Sequence, residues 1–303
     1  MNVLSLFDGI SCLQLALNRA NIPYDNYYAS EIKQIAIKVT QQHYPNTIQI
    51  GDVTKAHYDN GVLFTENGEF SVGTIDLVAG GSPCQDFSSI NILSRDKDCY
   101  GLRGSKSSLF FEYLRLLNEI KPKYFLLENV KMKKESKRQL DEYLGVEGIE
   151  INSNLVSYQN RPRFYWTNIP NVTPPKDKHI SFQDYKETNI VECRKYKLNK
   201  TPSRIKMWNM GNGPSGQFNG CANITNSDKI FRLTTKQDRC PNSGLVECDD
   251  FCRYLTRREI EQAQTLPVGY TDTLSYNQMQ NVCGDGWTVD VIAHILGYMR
   301  DDM

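Results

Sequence analysis

Apolar positions in the first half of the chain alternate between two periods. Asn2–Phe7 is a short apolar run that stops at Asp8-Gly9, and Leu13–Ala20 follows with helical spacing. Tyr27–Ser30 predicts a second strand, ending at Glu31. Ile32–His43 predicts a second helix, with Ile32, Ile35, Ala36 and Val39 on one face. Thr47–Ile50 leads into Gly51-Asp52, and Thr74–Ala79 runs into Gly80-Gly81. Ser107–Ile120 puts Leu109, Phe110, Tyr113, Leu114, Leu117 and Ile120 on one helical face, and Lys121-Pro122 stops it. Tyr124–Leu127 predicts a buried strand ending at Glu128-Asn129. This strand–helix alternation predicts an α/β fold with a parallel sheet and helices on both faces.

The periodicity fades after Pro170. Residues 171–250 are rich in Asn, Lys, Pro, Gly and Thr, and Trp208–Gly220 reads as an extended loop. This stretch predicts a separate, mostly irregular lobe. Helical spacing returns at Thr256–Leu266, where Thr256 and Glu259 are spaced as a capping box, and again at Val289–Met299. There are no internal repeats and no low-complexity segment.

Composition narrows the partners only a little. Lys plus Arg equals Asp plus Glu, 35 each, so no global basic charge advertises a nucleic-acid partner, although a local basic cleft can serve. The first residues lack a charged segment followed by a long apolar core, so neither a signal peptide nor a membrane span is expected. Nine scattered cysteines suit free thiols in a reducing cytoplasm. Cys240, Cys248 and Cys252 lie near one another, but no CxxC pair is present and no metal is expected.

Ligands of open α/β sheets sit beyond the carboxyl ends of the strands. Three predicted strands end there in acids: Asp8, Glu31 and Asp52. A nucleoside needs acceptors for its ribose hydroxyls and its adenine amino group, and carboxylates serve both. Asp8-Gly9-Ile10-Ser11-Cys12 has one glycine beside an acid, which makes a poor pyrophosphate cradle. That favours a nucleoside cofactor such as S-adenosyl-L-methionine over a dinucleotide. The plainer reading is that acids punctuate strand ends because turns favour them.

The chemistry is carried by three blocks. Gly80-Gly81-Ser82-Pro83-Cys84-Gln85 follows a strand directly and places a cysteine on a Pro-restrained loop, where a thiolate could attack. Glu128-Asn129-Val130 ends the next buried strand. Gln159-Asn160-Arg161-Pro162-Arg163 sets two guanidiniums at i and i+2, which share a face if the segment is extended. Each block alone has an ordinary structural reading: a buried thiol, a strand-end salt bridge, a surface pair. One reaction uses all three. Carbon 5 of cytosine becomes nucleophilic once a thiolate adds to carbon 6, with a carboxyl group donating to N3 and an arginine at the ring carbonyl.

In that order the blocks resemble the DNA cytosine-5 methyltransferases over nearly the whole chain. The matching segments are F-D-G-I at 7–10, the acid at 31, G-D-V at 51–53, G-G-S-P-C-Q at 80–85, E-N-V at 128–130, Q-N-R-P-R at 159–163 and L-T-R-R-E at 255–259. Within the family, L-S-L-F-D-G-I at 4–10, L-F-F-E-Y-L-R-L-L at 109–117 and R-F-Y-W-T-N-I-P at 163–170 look closest to the vertebrate de novo branch and its compact phage and bacterial relatives.

The resemblance implies a Rossmann-like, S-adenosyl-L-methionine-dependent sheet domain over 1–170. It implies a target-recognition lobe over 171–274 and a C-terminal segment, 275–303, that returns to the sheet domain. Cys84 would be the nucleophile, with Glu128, Arg163 and also Arg161 contacting a cytosine flipped out of double-stranded DNA. Phe7, Asp8, Gly9, Glu31, Ile32, Asp52, Val53, Gln85, Leu109 and Trp287 would form the cofactor pocket. The family's C-terminal G-N-S is G-D-G-W at 284–287 here, which leaves the contact from Trp287 open. In the lobe, Arg204, Lys206, Arg232, Lys236 and Arg239 suit phosphate or guanine contacts, and R-L-T-T-K at 232–236 resembles a guanine-reading segment. The run Lys131–Arg138 reads equally as a solvated helix or a DNA-backbone contact.

Two alternatives stay open. A tRNA cytosine-5 methyltransferase would use the same chemistry on a splayed RNA loop. A regulator on the same fold would bind DNA or a partner without catalysis. Recognition sequence, biological role (phage self-protection, restriction-modification or orphan modification) and oligomeric state are not encoded legibly.

Overall fold

The structure is a computed structural model; it describes residues 1–82, 108–198, 202, 223–235 and 243–302. The chain divides into two compact units. Unit 1 comprises Met1–Ile151, Pro162–Pro174 and Ile292–Met303; unit 2 comprises Asn152–Arg161 and Pro175–Val291.

Unit 1 is organised by a seven-stranded sheet. Its strands are β1 (Asn2–Leu6), β2 (Asn26–Ser30), β3 (Ile48–Gln49), β7 (Leu77–Gly80), β8 (Tyr124–Val130), β9 (Ile149–Asn152) and β11 (Pro162–Thr167), in the spatial order β3-β2-β1-β7-β8-β11-β9. The first five in that order run parallel. β11 runs antiparallel to β8, pairing Tyr165 with Glu128 and Arg163 with Val130. The near-continuous apolar runs of β1 and β8 are those of strands covered on both faces, and Val3, Leu4, Leu6, Leu126 and Leu127 are fully buried.

Helices α1 (Cys12–Arg19), α2 (Gln34–His43), α3 (Ser108–Ile120) and α4 (Lys134–Leu144) connect the strands. The amphipathic face of α3 is buried as its spacing predicts: Phe110, Tyr113, Leu117 and Ile120 join Leu4, Leu6 and Val78 in one core. Leu116 is buried there too, while Leu109 and Leu114 pack at its margin.

α2 departs from the expectation at its start. It begins at Gln34, and Ile32 is 68% exposed instead of buried on the helix face. The cause is local: the Glu31 carboxylate takes the amides of Ile32 and Lys33, which holds both outside the first turn.

Between β3 and β7 the chain makes an antiparallel meander, β4 (His57–Asp59), β5 (Val62–Thr65) and β6 (Gly68–Ser71), that the sequence reading did not anticipate. Its first turn is Asn60-Gly61, both left-handed with φ of 47° and 84°, the conformation of a two-residue hairpin loop.

Unit 2 has little regular structure among its described residues. Its elements are β10 (Gln159–Asn160) beside β12 (Ile230–Phe231), β13 (Val246–Glu247) beside β14 (Cys252–Arg253), and helices α5 (Ile190–Lys195), α6 (Arg257–Ala263) and α7 (Tyr276–Asp285). Polar contacts replace secondary structure as its fastenings. Arg253 and Glu259 form an ion pair with both side chains fully buried. Glu259 also completes the capping box with Thr256. The Lys229 ammonium donates to the carbonyls of Asn154, Ser157 and Ile180, and burial holds its pKa below the usual lysine value. A last helix, α8 (Val289–Gly297), carries the chain back into unit 1, where His294 Nε2 lies 2.7 Å from the Thr173 carbonyl. Among the described residues no helix is long and apolar enough to cross a membrane.

Candidate active site

The three acids read from the sequence stand just beyond the carboxyl ends of three adjacent parallel strands, Asp8 after β1, Glu31 after β2 and Asp52 after β3. Parallel pairing puts them on one edge of the sheet. The loop after β1 is unusual in its backbone: Phe7, Gly9 and Ser11 all lie in the left-handed region, at φ of 59°, 63° and 55°. Such conformations are costly for non-glycine residues and persist only where surrounding contacts fix them.

Those contacts are present. The Asp8 amide donates to the Ser30 carbonyl, and its carboxylate accepts from the Tyr27 and Ser11 hydroxyls. Ser11 Oγ in turn accepts from Gln14 and Thr40. Burial pushes the Asp8 carboxyl up to about 6 against the pull of these hydrogen bonds. Asp8 therefore faces inward and braces the loop.

Glu31 accepts three backbone amides: Gly9 on one oxygen, Ile32 and Lys33 on the other, each at 2.8 Å. It thus joins the loop after β1 to the segment after β2, with Ile32 standing exposed beside it. Asp52 caps a short 3-10 turn, Val53–Lys55, by accepting from Thr54, and Val53 is buried. The Asp52 amide donates to Glu66 Oε1 at 2.7 Å, and Lys55 pairs with the other oxygen of Glu66. Glu66 comes from the meander and was not singled out in the sequence; the Asn60-Gly61 and Asn67-Gly68 turn signals could have found the hairpins that deliver it. Phe7 and Leu109 are half-buried against the unit 1 core.

This donor set fits a nucleoside. Glu31 and Asp52 are held rigidly on one sheet edge by backbone amides, and an added Cβ at Gly9 would meet nothing within 4 Å, so the loop faces open space. Trp287 belongs to unit 2 and is half-buried, and Gln85 lies outside the described residues.

At the other half of the edge, β7 ends at Gly80 and the chain is described to Ser82. Cys84 therefore lies outside the described residues. The segment leading to it is tied to the end of β8: Asn129, itself buried, donates to the Ser82 carbonyl and hydroxyl at 3.4 and 3.2 Å. Next to Asn129, Glu128 meets Arg163 across the antiparallel seam, Oε1 to Nε at 2.9 Å.

Arg161 is engaged elsewhere. It lies in unit 2, 3% exposed, and donates to the carbonyls of Leu233, Gly284 and Gly286, each at 3.0 Å. The two guanidiniums of Q-N-R-P-R therefore have different partners.

Of the proposed DNA contacts, Arg232 is exposed on unit 2, while Arg204, Lys206, Lys236 and Arg239 lie outside the described residues. Within the basic run at 131–138, Lys131 pairs with Glu150, Lys137 with Asp141, and Arg138 with Glu135 and Glu142. That pattern fits a solvated helix. Among the described residues no group of three or more His, Cys, Asp or Glu could hold a metal ion.

A family model described as C-5 cytosine-specific DNA methylase matches residues 1–300. An orphan methyltransferase, M.SPRI, of Bacillus phage SPR is 29% identical over 211 residues, 65% of this chain and 44% of that protein. A Type II methyltransferase, M.NgoBV, of Neisseria gonorrhoeae is 30% identical over 186 residues, 54% of this chain and 40% of that protein. The chain spans less than half the length of each of these relatives. Two solved structures share the fold across the chain. The Dnmt2 methyltransferase of S. pombe has a TM-score of 0.68 at 18% identity, covering 100% of this chain and 99% of that one. The methyltransferase EhMeth of Entamoeba histolytica has a TM-score of 0.71 at 17% identity, covering 100% and 98%.

Proposed function

The chain belongs to the C-5 cytosine-specific DNA methylase family, and from that membership we propose that it methylates carbon 5 of a cytosine flipped out of double-stranded DNA. S-adenosyl-L-methionine, when bound, supplies an electrophilic methyl group. The observation that carries the reading is the buried Glu128–Arg163 pair, one residue from the Asn129 that ties down the segment leading to Cys84.

The residues divide the work as follows. Extruding the base costs a few kcal/mol of stacking and pairing. The Cys84 thiolate adds to carbon 6 while Glu128 donates a proton to N3, which leaves an enamine with electron density on carbon 5. Arg163 orients Glu128 and offers its remaining donors to the ring carbonyl. Carbon 5 takes the methyl group. It then loses its proton to a solvent base, the carbon–sulfur bond breaks, Cys84 leaves as thiolate and Glu128 recovers the N3 proton. Glu31 and Asp52 hold the ribose and adenine ends of the cofactor, with Phe7, Ile32, Val53 and Leu109 as its apolar walls. Gln85 completes the pocket, and Asp8 and Gly9 shape its floor. Unit 1 carries the chemistry. The lobe over 171–274 reads DNA, with Arg204, Arg232, Lys236 and Arg239 as its cations. Modification of phage or bacterial DNA against restriction is the role that suits the phage and Type II relatives.

The test is methyl transfer from labelled S-adenosyl-L-methionine to duplex DNA and to tRNA in parallel. Label in DNA that Cys84→Ser abolishes, with DNA binding kept, supports the reading. Label confined to tRNA sinks it in favour of the RNA enzyme.

A further inference from the structure

Arg232 directly follows β12, in a segment whose backbone is fixed on both sides. Before it, Ile230 and Phe231 pair in register with Gln159 and Asn160. After it, both backbone groups of Leu233 are taken by side chains from the same Q-N-R-P-R segment. The Leu233 amide donates to Gln159 Oε1 at 2.9 Å, and the Leu233 carbonyl accepts from Arg161 Nη1 at 3.0 Å. Arg232 is exposed while Leu233 is buried, so the cation projects from an anchored residue.

The clamps are themselves fixed. Gln159 is fully buried, and its amide nitrogen donates to the Ala263 carbonyl and to Gln264 Oε1. Gln264 accepts from Thr288 and donates to the Gly286 carbonyl, which Arg161 also binds. A Cβ on Gly284 would collide with the backbone of Thr234 and Thr235, so the segment is also closely packed there. A surface loop kept merely in place needs no such enclosure: buried amide and guanidinium groups are costly unless every donor and acceptor is matched. Here the matched groups converge on a segment that carries an exposed cation.

We propose that Gln159 and Arg161 are positioning residues for target selectivity, which fix the Arg232–Thr235 segment against the DNA that unit 2 reads. The proposal rests on the reading of this chain as a DNA methyltransferase. It assigns Arg161 to the recognition lobe and leaves Arg163 as the arginine of the chemical site.

The full-length chain and its Gln159→Leu variant are given a random-sequence duplex library and S-adenosyl-L-methionine. Methylated positions are read by bisulfite sequencing, alongside kcat, both KM values and Tm. Gln159→Leu is expected to lower the ratio of preferred to next-best sites about tenfold and to raise KM for DNA, with KM for the cofactor unmoved. Thr271→Ala, which removes a buried hydroxyl bonded to Glu261 and not to Gln159, Arg161 or the segment after β12, is expected to lower Tm and leave the site profile intact. Should Gln159→Leu fail to fold, Gly284→Ala is read in its place, since the added Cβ displaces the same segment. A lowered Tm with an unchanged profile and unchanged KM for DNA overturns the proposal and leaves the DNA reading standing. A wild-type chain that puts no label into DNA removes both.

Discussion

Arg163 Nε lies 2.9 Å from Glu128 Oε1, with the two side chains 10% and 11% exposed. The register pairs neither residue directly with the other: Glu128 stands opposite Tyr165, and Arg163 opposite Val130. The contact is a diagonal one, within reach of long side chains on an antiparallel pair. It fixes the carboxyl plane before any base arrives. Glu128→Gln is expected to lower kcat by about 10²–10³-fold, the usual cost of losing one preorganised donor. Cofactor affinity, measured by calorimetry, is expected to stay put; a variant with full kcat would remove Glu128 from the chemistry.

Asp8 makes stability depend on pH in an identifiable window. Its folded carboxyl titrates near 6, against 3.8 for a free aspartate. Between those values the folded chain holds a proton that the unfolded chain has released. Stability therefore falls as pH rises from about 4 to about 6, by about 3 kcal/mol, and levels off above. Asp8→Asn should flatten that slope in melts recorded across the window. An unchanged slope would assign the titration to other groups.

Glu259 is the hub of unit 2. Its carboxylate accepts two guanidinium donors of Arg253, the Thr256 amide and the Glu187 amide. Glu259→Ala strands a buried guanidinium and should cost about 3–5 kcal/mol. Replacing both partners, as in Arg253→Met with Glu259→Leu, should cost less than Glu259→Ala alone. Urea titrations of the three chains decide the order.

Glu66 should matter for the cofactor without touching it. Glu66→Ala frees the Asp52 amide and the end of Lys55. The expectation is a severalfold, about three- to tenfold, rise in the dissociation constant for S-adenosyl-L-methionine, with Tm nearly unchanged because the group is exposed. Equal affinity in the variant would confine Glu66 to the surface.

What was legible in the sequence follows from how local each signal is. Strand ends at Asp8, Glu31 and Asp52, the face of α3 and the Thr256–Glu259 capping box depend on neighbours a few positions away, and all are found where spacing placed them. The start of α2 was not legible, because Glu31 captures amides that helical periodicity would have used. Nor was the division between Arg161 and Arg163. An i, i+2 pair signals a shared side only while the strand continues, and here β10 ends at Asn160 and β11 begins at Pro162. The meander was overlooked for a different reason: its strands are only three or four residues long, too short for alternation to register, although both Asn-Gly pairs marked its turns.

Unit 1 is not contiguous in the chain, and this sets a timetable for the nascent polypeptide. Residues 1–151 are made before unit 2, but Ile292, Ile295 and Leu296, all fully buried, and His294 with its bond to Thr173 are made only after the whole of unit 2. Throughout that interval the sheet unit lacks its last apolar helix. The long wait for a distant segment favours slow maturation and exposure to chaperones.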